Sequence, residues 1–249
     1  MRTADIEVFS DFTCPWCYIA KRRLEVALRY LSADVRARIV WRPFNLGRET
    51  ARTALEQPGT VRFLTALGAG EGIDFAFNRI TRVPDTVGAH RLVCLASSDG
   101  RPGELVDGLV ERLYRAHWSE GRDIESLGTL AALAGEAGMD AVPIRALLAS
   151  AAGVAEVQSG LQRAAELGID AIPFMLINDR VGVSGTRNSQ YLAEAIQGAS
   201  WFGKGGQQAC DSNSGVTATS PTRSVSTSSA GSSSRSIGSL YVSTVSSSA

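Results

Sequence analysis

Cys14 and Cys17 stand three residues apart in the stretch Ser10-Asp11-Phe12-Thr13-Cys14-Pro15-Trp16-Cys17. Two thiols at that spacing either cycle between dithiol and disulfide or supply half of a metal site. A structural zinc site takes four ligands, and no second Cys or His pair stands at ligand spacing; the only histidines, His90 and His117, are 27 residues apart. Exchange without a metal is therefore the better reading. Cys14 would attack a substrate disulfide as the thiolate, and Cys17 would resolve the mixed disulfide that results. Between them, Pro15 stiffens the turn, and Trp16 offers a substrate an apolar surface without positive charge.

Such a pair needs a strand to lead in and a helix to lead out. Residues 5–10 read as a short buried central strand. Cys14 then falls at a helix N-cap, and Pro15 suits the first helical position, where its missing N–H does no harm. The unpaired N–H groups and the positive dipole end there favour a thiolate. Ala20, Leu24, Ala27, Leu28 and Leu31 continue at helical spacing for about four turns. Residues 38–44 alternate as a second strand ending near Pro43, which completes a βαβ unit. From Val61 to Leu167 the pattern is mostly helical. Pro143 suits the first position of one of these helices, and His90 and Cys94 lie on the most apolar one, at 86–97. Residues 173–178 then read as a strand, Asn178-Asp179 as a turn, Val181–Ser184 as its hairpin partner, and 189–197 as a last helix. The expected fold is α/β, a mixed βαβ…ββα sheet with a large helical insertion.

A second site feature follows from this order. Ile172-Pro173 precedes the returning strand, 159 residues after Cys14. A proline is tolerated at a strand's start because it need not donate there. A cis bond would turn the Ile172 backbone outward, so that a substrate peptide could pair with it beside Cys14.

Taken together, Ser-Asp-Phe-Thr-Cys-Pro-Trp-Cys, the long helical excursion, Ile-Pro-Phe and Val-Gly-Val-Ser-Gly resemble the DsbA-like thioredoxin superfamily. The cytoplasmic FrnE-like branch is most similar; it is related to 2-hydroxychromene-2-carboxylate isomerases and kappa-class glutathione transferases. The likeness runs over about residues 5–200. It implies a thioredoxin-like domain at 5–46 and 168–202, a helical insertion at 47–167 over the active site, Cys14 as nucleophile, Cys17 as resolving thiol and Pro173 as cis-proline. Where the branch often reads Pro-Asn-Thr, this chain has Pro84-Asp85-Thr86 and lacks the amide donor.

The expected activity is thiol–disulfide exchange, as oxidoreductase or isomerase, on a protein or small-molecule disulfide and with no bound cofactor. The alternative is a glutathione-dependent isomerase or transferase, with glutathione as co-substrate; those relatives typically carry Ser where Cys14 stands. A third expectation is a redox-regulated binding protein whose helical cap presents apolar surface.

Other residues read less sharply. Asp11 could transfer protons to Cys17 or support the loop through an Asx-type bond, the commoner role near a helix start. His90, His117, Cys94, Phe75, Phe77 and Ile80 have core packing as their default. Acids and bases balance at 25 each, so charge argues for neither nucleic acid nor an anionic membrane. No apolar run is long enough to span a bilayer, and the N-terminal residues lack a secretory pattern, so a cytoplasmic location is expected. Oligomeric state is not legible, and a homodimer is left open. Residues 203–249, rich in Ser, Gly and Thr and carrying Cys210, read as a disordered tail.

Overall fold

A computed structural model describes residues 1–98 and 102–202; the expected tail, with Cys210, lies outside them. The described elements run β1 (Arg2–Ser10), α1 (Pro15–Arg29), β2 (Val35–Pro43), α2 (Arg48–Glu56), α3 (Thr60–Gly70), α4 (Val87–Ser98), α5 (Gly103–Trp118), α6 (Leu127–Glu136), α7 (Ala141–Ala149), α8 (Val154–Glu166), β3 (Phe174–Ile177), β4 (Val181–Ser184) and α9 (Ser189–Ala199). The sheet order is β2-β1-β3-β4. β1 and β2 are parallel, joined by α1, while β3 is antiparallel to both β1 and β4. This is the mixed α/β sheet with a helical insertion that the sequence leads one to expect, with β1 central and its inner residues Ile6, Val8 and Phe9 buried.

Three boundaries differ from the sequence reading. β1 begins at Arg2 and β2 at Val35, because the parallel ladder runs unbroken from the Arg2–Val35 pair to the Ser10–Pro43 pair. The polar residues Arg2, Thr3 and Arg36 hid the extension. α2 is a further helix that apolar periodicity did not reveal, since it buries only Ala51. α7 starts at Ala141, not Pro143: the Asp140 carboxylate accepts the Val142 N–H at 3.0 Å and caps the helix two residues earlier.

The sheet's far end is closed by a three-residue connection, 178–180, in which Arg180 N–H donates to Ile177 O at 3.0 Å. Asn178 and Asp179 both take the left-handed conformation, which is how a tight hairpin keeps the strand twist. The buried Asn178 side chain accepts from Asp5 N–H at 2.8 Å and donates to Ala199 O at 2.9 Å, so it joins β1, the hairpin and α9.

The near end carries the chemistry. α1, leading from Cys14, is fastened to α5 of the insertion by a buried cation. Lys21 pairs with Glu111 at 2.8 Å and with Glu25, and Tyr18 O–H donates to Glu111 at 2.7 Å. The insertion is tied internally by Arg91 of α4, whose guanidinium donates to the carbonyls of Leu147, Leu148, Ser150 and Ala152. Those acceptors are carbonyls at and beyond the end of α7, where a cation also suits the dipole.

Pro43 sits against α8 at Gly160, where an added Cβ would come within 2.5 Å of the proline ring. Helical Gly→Ala changes ordinarily stabilise by about 1 kcal/mol. Gly160→Ala is expected instead to destabilise by about 1–3 kcal/mol through overpacking. Gly108→Ala, in open space on α5, should show the ordinary gain. Denaturant midpoints of the two variants check the opposite signs.

Candidate active site: a buried dithiol at a helix start

Cys14 is the N-cap of α1, with extended backbone, and Pro15 opens the helix. The turn is closed by two backbone bonds, Cys14 N–H to Asp11 O and Cys17 N–H to Cys14 O, each 3.1 Å. Both cysteines are free thiols and nearly inaccessible, Cys14 at 4 % exposure and Cys17 at 2 %. Their side chains lie near each other. Burial pushes the Cys17 thiol well above its ordinary value, and the hydrogen bond to Cys14 and the charge on Cys14 push the same way. Cys17 is thus held toward its protonated form.

The loop before the dithiol is held from several directions. The buried Asp11 carboxylate accepts three bonds: Thr13 N–H at 3.0 Å, Thr13 O–H at 3.1 Å and Leu46 N–H at 2.7 Å. These are loop-supporting contacts of the Asx type. Trp118 on α5 donates its indole N–H to Phe12 O at 2.9 Å. The Phe12 ring lies 4.9 Å from both His90 of α4 and Tyr114 of α5, and Tyr114 stacks on Tyr18 at 5.0 Å. Phe44 N–H reaches Ser10 O at 3.0 Å, and the His90 imidazole donates to the Phe44 carbonyl.

Ile172-Pro173 is a cis peptide. It precedes Phe174, which pairs with Phe9, so the bond lies at the sheet end from which Ser10 launches the dithiol loop. Gly185 N–H donates to Pro173 O at 2.9 Å and holds this corner to the end of β4. Ile172 and Pro173 are buried, while Trp16 is half-buried.

The remaining candidates divide clearly. Phe75 is core, packed among Tyr18, Phe77 and Trp118. His117, buried edge-on against Trp118, is pushed down to about 4 by burial; it borders a 40 Å³ cavity with Ile80 and Arg82. Burial also lowers His90, and its Nε2 has no partner among the described residues. Cys94 is pushed up to about 11 by burial, which leaves it an unreactive thiol near neutrality. Asp85 turns its carboxylate to the Val87 N–H at 2.8 Å, at the start of α4. Among the described residues no group of three or more His, Cys, Asp or Glu is arranged to hold a metal, and no helix is long and apolar enough to cross a membrane.

The contributors that sequence reasoning missed are Tyr114 and Trp118. They arrive from α5, a hundred residues downstream of the loop they hold, and no local pattern connects them to it.

The model of a family described as DSBA-like thioredoxin domain matches residues 5–197. A crystal structure of a probable DsbA oxidoreductase from Streptomyces coelicolor is 30 % identical, superposes with a TM-score of 0.69, and is covered over 94 % of its chain and 84 % of this one. The uncharacterized protein YwbO of Bacillus subtilis is 24 % identical over 202 residues, 96 % of its length and 78 % of this chain. The cytosolic disulfide reductase DsbM of Pseudomonas aeruginosa, solved with GSH, shares the fold at 20 % identity and a TM-score of 0.55, over 80 % of this chain and 96 % of its own.

If Cys17 holds its proton, limiting iodoacetamide at pH 7 should label Cys14 and leave Cys17 unmodified in the reduced protein. In Cys14→Ala protein, labelling of Cys17 should rise only above the usual thiol range. Peptide mapping by mass spectrometry across a pH series checks both outcomes.

Proposed function

The chain belongs to the DSBA-like thioredoxin domain family, and within it we propose a thiol–disulfide oxidoreductase or isomerase in which Cys14 attacks and Cys17 resolves. One observation carries the reading: two thiols lie near each other at a helix start, Cys14 at the cap and Cys17 within the first turn, where burial pushes Cys17 well toward its protonated form.

The mechanism follows from that asymmetry. The Cys14 thiolate attacks one sulfur of a substrate disulfide, and the first substrate thiolate leaves. The Cys14–substrate bond replaces the negative charge beside Cys17, which removes one of the influences that kept its proton on. Cys17 then attacks the Cys14 sulfur, the second substrate thiolate leaves and takes up a proton, and the protein ends as the Cys14–Cys17 disulfide. Two electrons have moved to the substrate; oxidation of a dithiol substrate runs the steps in reverse. The thiols themselves carry the electron pair, so the reading asks for no bound cofactor. Pro173, with Ile172, is assigned to the substrate's backbone, because the cis bond lies at the same sheet end as the dithiol loop. Asp11 is assigned to loop support, given its three accepted bonds. The glutathione-dependent isomerase or transferase alternative is second, since relatives of that type typically carry Ser where Cys14 stands and have no mixed disulfide for Cys17 to resolve.

With reduced insulin or a scrambled disulfide protein as substrate, Cys14→Ala is expected to lose activity entirely. On the scrambled disulfide protein, Cys17→Ala should instead accumulate a covalent mixed disulfide on Cys14, visible by mass and released by dithiothreitol. Unchanged activity in Cys14→Ala would remove the proposal.

A further inference from the structure

Tyr114 of α5 is fully buried, its ring stacked on Tyr18 and set 4.9 Å from Phe12. Those contacts use the ring and leave the hydroxyl to be accounted for. The hydroxyl meets the turn that carries the dithiol. Asp11 O accepts the Cys14 N–H at 3.1 Å and the Tyr114 O–H at 3.4 Å. An O–H donor well matched to its acceptor sits at about 2.7–2.8 Å, so the Tyr114 proton is only loosely spent on this carbonyl. Cys17 and Cys14 both lie near enough for their charge to hold that proton on the phenol, and burial holds it further, well above the ordinary tyrosine value. Tyr114 is thus a buried donor beside the dithiol that does not ionise.

We infer that the Tyr114 hydroxyl is the hydrogen-bond donor that steadies the Cys17 thiolate while Cys17 resolves the mixed disulfide. The inference rests on the exchange reading above and adds a residue to it. Resolution calls for such a donor. An ionised Cys17 is buried, and the Asp11 carboxylate opposes its charge. A hydrogen bond given to the charged form offsets both influences. The step needs no reactant beyond the substrate disulfide. Attack by Cys14 releases the first substrate thiolate, which takes the Cys17 proton and departs as a thiol. The Tyr114 O–H turns from Asp11 O to the Cys17 sulfur and keeps its own proton. Cys17 then bonds to the Cys14 sulfur, the Cys14–substrate bond breaks, and the second substrate thiolate takes a proton from water. Only the hydroxyl rotates, so the packed ring stays in place.

Tyr114→Phe keeps the ring and removes only the donor, and Asp11 O retains its Cys14 partner. Reduced wild-type and Tyr114→Phe proteins are mixed with a symmetrical peptide disulfide, acid-quenched over a time course and mapped by mass. Formation of the Cys14–peptide adduct should keep its rate within about twofold. Conversion of the adduct to the Cys14–Cys17 disulfide should slow about tenfold or more, because hydrogen bonds to charged groups are the stronger kind. A second measurement reads the thiolate itself. In Cys14→Ala protein at pH 9, the rate at which iodoacetamide labels Cys17 follows its thiolate fraction. Adding Tyr114→Phe should lower that rate about tenfold and leave the labelling of Cys94 unchanged, whereas a purely structural role would change both or neither. Unchanged resolution, equal slowing of both steps, or Cys17 labelling indifferent to Tyr114→Phe would overturn the inference. Wild-type protein that forms no Cys14–Cys17 disulfide with the peptide would instead overturn the exchange reading itself.

Discussion

The loop Asp11-Phe12-Thr13 leads into the cysteine pair and is buried, so its polar groups must all find partners inside the protein. The rest of the structure depends on that constraint. Loop backbone is rarely buried, because its polar groups then need partners. Here the partners are supplied one by one: Asp11 answers its own loop and Leu46, and Trp118 answers Phe12. Leaving any one of these groups unpaired in the interior would cost about 1–3 kcal/mol. The helical insertion is thus part of the scaffold of the site. α5 holds the loop through Trp118 and holds the helix leading from Cys14 through Glu111.

The same burial sets the division of labour between the thiols. Desolvation disfavours a charged Cys17, and one negative charge on Cys14 disfavours a second beside it. Once Cys14 is bonded to a substrate that charge is gone. In the proposed exchange, the step that calls on Cys17 thereby removes one of the influences that hold its proton, while burial, the largest of them, remains.

The sequence made the fold legible where local rules act alone. The Cys14 cap, Pro15 at the helix start and the Asn178-Asp179 hairpin each follow from backbone preferences of a few residues, and each stands where expected. The cis bond at Ile172-Pro173 was expected from a hydrophobe-Pro ahead of the returning strand in a βαβ…ββα chain and from the resemblance that this order supports. Reading failed where the cause lies elsewhere in the chain. β2 extends back to Val35 because β1 is there to pair with it, and α7 begins at Asp140's cap although Pro143 was the stronger local signal. The part of the site supplied by Tyr114, Trp118 and Glu111 had no signature, since buried partners on an amphipathic helix look like core.

The central claim is that Cys14 and Cys17 form one reversible two-electron couple. Equilibrating the protein over a range of reduced to oxidised glutathione, then alkylating and mapping the Cys14–Cys17 peptide by mass, tests it most directly. The account predicts a single transition from two free thiols to an intramolecular Cys14–Cys17 disulfide, with a tenfold change in the equilibrium constant for every ~30 mV. Thiols that stay reduced at every ratio, or an oxidised form with glutathione on Cys14 and Cys17 still free, would contradict it.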